Sequence, residues 1–178
     1  MANFVPPTQE QLAGQLQKLQ QTGFDQKLAS AATANGFTPE FFFAIASRET
    51  NCVNELGDKQ ADGFHDVGIV QIDIQHPIAR QARDDGSWQT DPDPLIAFGA
   101  QMLAGNIRQA QNVFPELSAD QQLKVAASGY NCGMGNAIAG QRNGDSDQRT
   151  AHGNYGADVM ARMAIFQQLM APSADDGG

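Results

Sequence analysis

Glu49 is the residue whose type and position most clearly suggest chemistry. It follows Phe42 and Ile45 at helical spacing, so a carboxyl group ends an apolar stripe near the C-terminus of a predicted helix. Burial and the negative end of the helix dipole both favour the protonated carboxyl, and this raises its pKa. General acid catalysis requires a carboxyl that keeps its proton near neutral pH. The alternative is an exposed glutamate at a helix end, paired with Arg48 or Lys59.

Helical periodicity predicts the elements that must position this carboxyl. An amphipathic helix is expected from Thr8 to Gln21, and Thr38 followed by Pro39 marks the start of the helix that carries Glu49. Later helices are predicted after Asp91–Pro94, after the capping box of Ser118 and Gln121, and around Val159, Met163 and Phe166.

The segment from Asn51 to Asp73 breaks the helical pattern. Gly57, Gly63 and Gly68 interrupt it, and the apolar residues that follow suit a short hairpin or an irregular loop. Loops of this kind often carry polar and catalytic groups. A second polar loop is expected over residues 140–153.

Composition predicts one ordered, mainly α-helical domain. The 178 residues include 41% hydrophobic and 17% charged residues, which fits a globular chain. A net charge of −9 argues against a nucleic-acid partner, because no cluster of Lys and Arg is available to contact phosphates. No apolar run is long enough to span a membrane. Residues 1–11 lack the pattern of a Sec-type signal, so we expect either a removed leader or another delivery route.

The sequence predicts no metal or cofactor site. His65, His76 and His152 are scattered, and no glycine-rich phosphate loop follows a strand. Cys52 and Cys132 are too few for a disulfide framework and lack the spacing of a zinc site. Both a single disulfide and two free thiols are compatible with this count.

Three separated segments together resemble goose-type lysozymes and lytic transglycosylases. The shared strings are ASRET at residues 46–50, the Gly-Asp, Gly-Phe and GIVQID strings within residues 57–73, and GYNCGMGN at residues 129–136. A weaker fourth string, NYGADVMAR, occupies residues 154–162. The resemblance covers residues 37–170, and the ordered combination is more specific than any one string.

The resemblance implies a mainly α, lysozyme-like fold with a small β-hairpin or irregular β region at the active-site cleft. Residues 37–170 would form the catalytic domain, residues 1–36 a helical region packed on it, and residues 171–178 a flexible tail. The implied substrate is peptidoglycan or a related amino-sugar polymer outside the cytoplasm, and a protein inhibitor or immunity protein is a further implied partner.

The resemblance also implies roles for individual residues. Glu49 would be the general acid, and Asp58 and Asp73 would place the attacking water for inverting hydrolysis. His65, Asp66 and Val67 depart from the usual spacing, so Asp62 or Asp66 is an alternative water-positioning group. The positions that would contact sugars are Gln71, His76, Tyr130, Asn131 and Tyr155.

The resemblance further places Cys52 and Cys132 beside the same cleft, where a disulfide would join the catalytic helix to the substrate-binding loop. It leaves the chemistry open. Hydrolysis of peptidoglycan is favoured by the retained aspartates, whereas a lytic transglycosylase would use the 6-hydroxyl of the substrate itself. A chitinase on the same fold and a non-catalytic wall-binding module are also compatible with the resemblance.

Overall fold

The computed structural model describes residues 5–57, 59–61 and 63–172. Asp58, Asp62 and residues 173–178 of the predicted tail lie outside the described residues. Nine α-helices occur in the described part of the chain, namely α1 (Gln9–Thr22), α2 (Phe24–Ala34), α3 (Pro39–Thr50), α4 (Pro77–Asp85), α5 (Ser87–Thr90), α6 (Asp93–Val113), α7 (Ala119–Cys132), α8 (Met134–Arg142) and α9 (Tyr155–Met170). The predicted mainly α fold is confirmed.

Local capping signals explain where several of these helices begin. Thr8 and Gln11 form a reciprocal capping box at the start of α1, and Ser118 and Gln121 form the predicted one at the start of α7. Thr38 is the N-cap residue of α3, but its side chain makes no capping hydrogen bond, and Pro39 supplies the preorganised first position.

Helix α3 is the central element of the fold. All its residues from 41 to 47 are buried, as expected for a helix that is apolar on every side. The ring of Phe43 meets that of Phe166 on α9 edge to face, with centroids 6.0 Å apart. Leu12 and Leu28, from α1 and α2, belong to the same hydrophobic core. The boundary drawn between residues 36 and 37 stays a prediction.

The predicted β region consists of very short strands. Four two-residue strands form two antiparallel pairs in the described part of the chain, β1 (Lys59–Gln60) with β2 (Gly63–Phe64) and β3 (Asp66–Val67) with β4 (Ile72–Asp73). Leu56 makes an additional antiparallel bridge to Val67. Both β3 and β4 contact α4.

One helix is not expected from the sequence. The glycines after Cys132 predict an end to the helical pattern, and they do end α7, where Gly133 has a φ of 81°. The chain resumes as α8 one residue later, at Met134. Helix α8 packs against α7 and the short 3-10 turn Ser146–Arg149. No helix within the described residues combines the length and the apolar character needed to cross a membrane.

Cys52 and Cys132 are free thiols in the structure, which is one of the two alternatives that the sequence left open. Cys52 is buried in the main core, where its Sγ lies 3.8 Å from Oε1 of Gln15 on α1. Cys132 packs instead on a second cluster that includes Phe114 and Val125. The two side chains therefore pack in different hydrophobic clusters.

Candidate active site

Glu49 lies in the last full turn of α3 and lines an open cleft of about 620 Å³. Three more carboxyl groups line the same cleft in the described part of the chain, those of Glu55, Asp66 and Asp73. The helix ends at Thr50, one residue after Glu49, because Asn51 adopts the left-handed conformation, with a φ of 51°, as the C-cap residue. Helix α3 thus places one carboxyl group in a polar cleft.

Burial raises the pKa of Glu49 from 4.5 to about 7. The desolvated carboxylate is the main cause, and the negative charge of Asp66 adds to it. A hydrogen bond from Tyr155 and the charge of Arg48 act in the opposite direction and lower the pKa. Glu49 therefore keeps its proton up to about neutral pH, which is the state that a general acid needs.

Tyr155 lies behind Glu49 rather than on the cleft wall. Its side chain is only 2% exposed, and its hydroxyl donates a hydrogen bond to Oε1 of Glu49. Tyr155 is not among the residues that line the cleft, and its resemblance-based role as a sugar contact stays a prediction. Burial and the neighbouring Glu49 charge keep the pKa of Tyr155 well above 10, so this hydroxyl remains a donor.

Arg48 contacts the ring of Tyr155 and forms an ion pair with Asp158. The guanidinium of Arg48 lies over the Tyr155 ring, with Cζ 5.4 Å from the centroid. Its Nε is 3.0 Å from Oδ2 of Asp158, and Asp158 also binds Arg162 of α9 through two hydrogen bonds of 2.9 and 3.2 Å. Asp158 is thus shared by two guanidinium groups, and the positive charge of Arg48 still lowers the pKa of Glu49.

Asp66 and Asp73 face each other across the β3–β4 pair. They are register partners, so their side chains emerge on one face of the hairpin, and both line the cleft with Glu49. Oδ1 of Asp73 accepts a hydrogen bond of 2.7 Å from the backbone N–H of Gln75. The structure therefore brings together three of the predicted carboxyl groups. Asp58 and Asp62 are not among the described residues.

Four of the predicted sugar-contacting residues line the cleft, and each is also held by the protein itself. The Tyr130 hydroxyl donates to the carbonyl of Val70 at 2.8 Å, and Oδ1 of Asn131 accepts from the N–H of Ala151 at 2.8 Å. The His76 ring lies against Phe98, with centroids 5.0 Å apart. Gln71, the fourth, donates its side-chain N–H groups to two backbone carbonyls.

No group of three or more His, Cys, Asp or Glu side chains in the described ranges is arranged to hold a metal ion.

Comparison with known proteins fixes the family. The model of the family described as lysozyme g matches residues 10–169. The chain belongs to the lysozyme g family. It is 32% identical to lysozyme g of Gallus gallus over 130 residues, which cover 73% of this chain and 57% of the relative. It is 30% identical to lysozyme g of Epinephelus coioides over 150 residues, which cover 81% and 74%. The resemblance to goose-type lysozymes is confirmed.

The matched region covers only part of some relatives. The chain spans less than two thirds of the lysozyme g proteins of Gallus gallus and Casuarius casuarius, at 57% and 65% of their lengths.

Sequence reasoning missed one residue that supports the site of this lysozyme g family member. Asp147 is 1% exposed, and its carboxylate accepts hydrogen bonds from the backbone N–H groups of Gly156 and Ala157 at 2.7 and 2.9 Å. These donors lie in the first turn of α9, directly after Tyr155, so Asp147 caps the helix that presents Tyr155 to Glu49. Its side chain also accepts from Ser128 on α7 at 3.1 Å. No local pattern reveals such a cap, since the capping side chain comes from a separate turn.

Proposed function

We propose that this chain is a muramidase, a glycosidase that cleaves the β-1,4 bond between N-acetylmuramic acid and N-acetylglucosamine in peptidoglycan. The observation that carries the proposal is Glu49, whose carboxyl group has a pKa of about 7 in a cleft that contains further carboxylates. Membership of the lysozyme g family supports the same substrate class.

In the proposed reaction, Glu49 donates its proton to the glycosidic oxygen as the bond from that oxygen to C1 breaks. A water molecule attacks C1 from the opposite face and loses a proton to a carboxylate, which leaves a reducing end. Inverting hydrolysis places the acid and the base about 6.5–9.5 Å apart. Asp73 and Asp66 are the carboxylates of the described chain that we propose for this role, because they emerge together on one face of the β3–β4 pair in the cleft that Glu49 lines.

In this proposal, Tyr155 and Arg48 hold Glu49 in place and moderate its pKa. The Tyr155 hydroxyl holds one carboxyl oxygen, so the other oxygen is free to face the substrate. Gln71, His76, Tyr130 and Asn131 line the cleft around the scissile bond. Peptidoglycan, the proposed substrate, lies outside the cytoplasm, so we propose that the enzyme acts there. A proteinaceous inhibitor would have to occupy this same cleft.

Mass spectrometry of the soluble products tests the proposal. Peptidoglycan and chitin oligomers are incubated with the unmodified chain, with Glu49→Gln, and with Glu116→Gln as a matched control. Glu116 is exposed and lies outside the cleft. Reducing muropeptides that disappear only in Glu49→Gln are the expected result.

Different products would redirect the assignment. Products ending in 1,6-anhydro sugars would make the chain a lytic transglycosylase, and cleavage of chitin alone would make it a chitinase. Retention of peptidoglycan without any product would contradict the enzymatic role and favour a wall-binding module.

A further inference from the structure

Gln71 has an uncommon backbone conformation for a residue with a long side chain. Its φ is 48°, in the left-handed region that glycine and asparagine adopt more readily. A residue held in this region costs free energy, and such positions persist where surrounding contacts fix them. The contacts of Gln71 therefore indicate what this conformation achieves.

The side chain of Gln71 connects two segments of backbone. Its Nε2 donates to the carbonyl of Gly68 at 2.7 Å and to the carbonyl of Glu55 at 3.2 Å. The N–H of Gly68 donates in turn to the same Glu55 carbonyl group at 2.9 Å. Gln71 thus ties the start of the segment Glu55–Gly57 to the turn that precedes β4.

Gly57 completes this contact from the other side. A Cβ atom at position 57 would lie 2.1 Å from Oε1 of Gln71 and 2.8 Å from Cβ of Asp66. The absence of a side chain therefore lets the backbone of Gly57 lie directly against both residues. The N–H of Gly57 also donates to the carbonyl of Asp66 at 2.8 Å.

We propose that Gln71 is a positioning residue that acts with Gly57 to hold the segment Glu55–Gly57 against Asp66, rather than a sugar ligand. Its amide hydrogens are directed at protein carbonyls, although the side chain lines the cleft. The segment it holds leads directly into residue 58 and lies beside Asp66. Asp58 and Asp66 are two of the candidate water-positioning residues.

The consequence for the reaction rests on the proposed function. If the carboxylates that hold water are displaced, Glu49 can still protonate the leaving oxygen, but water reaches C1 less efficiently. The 6-hydroxyl of the muramic acid sugar can then attack C1 in place of water and lose its proton to the Glu49 carboxylate, which has just protonated the leaving oxygen. This reaction releases a 1,6-anhydro end instead of a reducing end. Loosening the contact should therefore change the products as well as the rate.

Two variants loosen the contact by different means. Gln71→Asn relieves the backbone, because asparagine tolerates the left-handed region, but its shorter side chain cannot reach both carbonyls. Gly57→Ala keeps the glutamine but places a methyl group 2.1 Å from its Oε1 and 2.8 Å from Cβ of Asp66, so the contact between Gln71, the segment and Asp66 must open. Gln122→Met is the matched control, since Gln122 also donates to a backbone carbonyl, that of Phe114 at 2.9 Å, outside the cleft.

Kinetics and product analysis on soluble peptidoglycan fragments give the first test. Gln71→Asn and Gly57→Ala should lower kcat by about ten- to a hundredfold, as small displacements of reacting groups do. KM should change by less than about twofold, and the share of 1,6-anhydro products should rise. Gln122→Met should retain the kinetics and the products of the unmodified chain. A raised KM with unchanged kcat and unchanged products would show that Gln71 binds sugar, and would overturn the proposal.

Hydrogen exchange gives a second test that does not depend on activity. The amides of Gly57 and Gly68 should exchange faster in Gln71→Asn, while Tm should stay within a few degrees of the unmodified chain. Unchanged protection of both amides would overturn the proposal, even if activity were lost. Faster exchange with unaltered kcat and products would also overturn it. If the unmodified chain yields no product from peptidoglycan, the proposed function fails, and the exchange result still decides whether Gln71 holds the segment.

Discussion

Replacing Tyr155 with phenylalanine removes a single hydroxyl from behind the catalytic acid. That hydroxyl donates to Oε1 of Glu49, and this hydrogen bond lowers the Glu49 pKa against the larger effect of burial. The phenylalanine ring would keep the same volume in the core and the same contact with Arg48. The variant therefore removes one electrostatic contribution and leaves the desolvation of Glu49 in place.

The size of the effect follows from the strength of the lost bond. A hydrogen bond to an ionised group contributes about 1.5–3 kcal/mol, and one pKa unit corresponds to about 1.4 kcal/mol. The lower end of this range applies, because the Tyr155 hydroxyl also hydrogen-bonds to the protonated carboxyl group. Only the difference between the two hydrogen bonds shifts the pKa. The pKa of Glu49 should then rise by about one unit above its value of about 7.

The pH dependence of kcat/KM on soluble peptidoglycan fragments measures this shift. A general acid acts in its protonated form, so activity falls as pH rises through the pKa of Glu49 in the free enzyme. The alkaline limb of the profile should move up by about one pH unit in Tyr155→Phe. Tyr130→Phe is the control, because the Tyr130 hydroxyl donates to the Val70 carbonyl and not to Glu49. An alkaline limb that stays in place, or moves to lower pH, would refute the assigned role of Tyr155.

Three further predictions concern stability. Glu49→Gln should raise the free energy of unfolding by about 1–3 kcal/mol at pH 8 and by little at pH 4. Urea unfolding at the two pH values measures this difference. An equal gain at both pH values would contradict the raised Glu49 pKa. The sign follows because the folded state binds the Glu49 proton more tightly, so wild-type stability is lost as pH rises from about 4.5 to about 7. Asp147→Ala should cost about 3–5 kcal/mol by unpairing the start of α9, and a loss below about 1 kcal/mol would argue against the cap. Gly99→Ala should lower the free energy of unfolding by about 1–3 kcal/mol, because its Cβ would lie 2.9 Å from Val70. Gly105→Ala on the same helix should raise the free energy of unfolding by about 0.5–1 kcal/mol. Similar thermal shifts in the two variants would refute the packing argument.

Much of the catalytic helix could be predicted from local signals. Pro39 and the apolar spacing before Glu49 locate α3, and the position of a carboxyl at the end of an apolar stripe indicates a raised pKa. These features depend on residues within a few turns of one another, so the sequence contains them directly. The same holds for the capping boxes at Thr8 and Ser118, where both partners lie three residues apart.

Contacts between distant segments could not be predicted in this way. The burial of Tyr155 depends on α9 packing against α3, and a motif that matches a cleft-lining string does not specify which face of the helix meets the cleft. The free thiols follow from the same limitation. Cys52 and Cys132 lie beside strings that border the cleft, but their side chains pack in two separate hydrophobic clusters.

The sequence alone determined that this chain forms helices around one acid, because helix periodicity, caps and breakers act over a few residues. The resemblance added four aspartates as candidate bases, Asp58, Asp62, Asp66 and Asp73. Only the tertiary structure decided which of them share the cleft with Glu49, which tyrosine holds that acid, and that Gln71 faces protein carbonyls. These outcomes depend on packing between segments that lie tens of residues apart, where the free energy of burial selects one arrangement that no local pattern encodes.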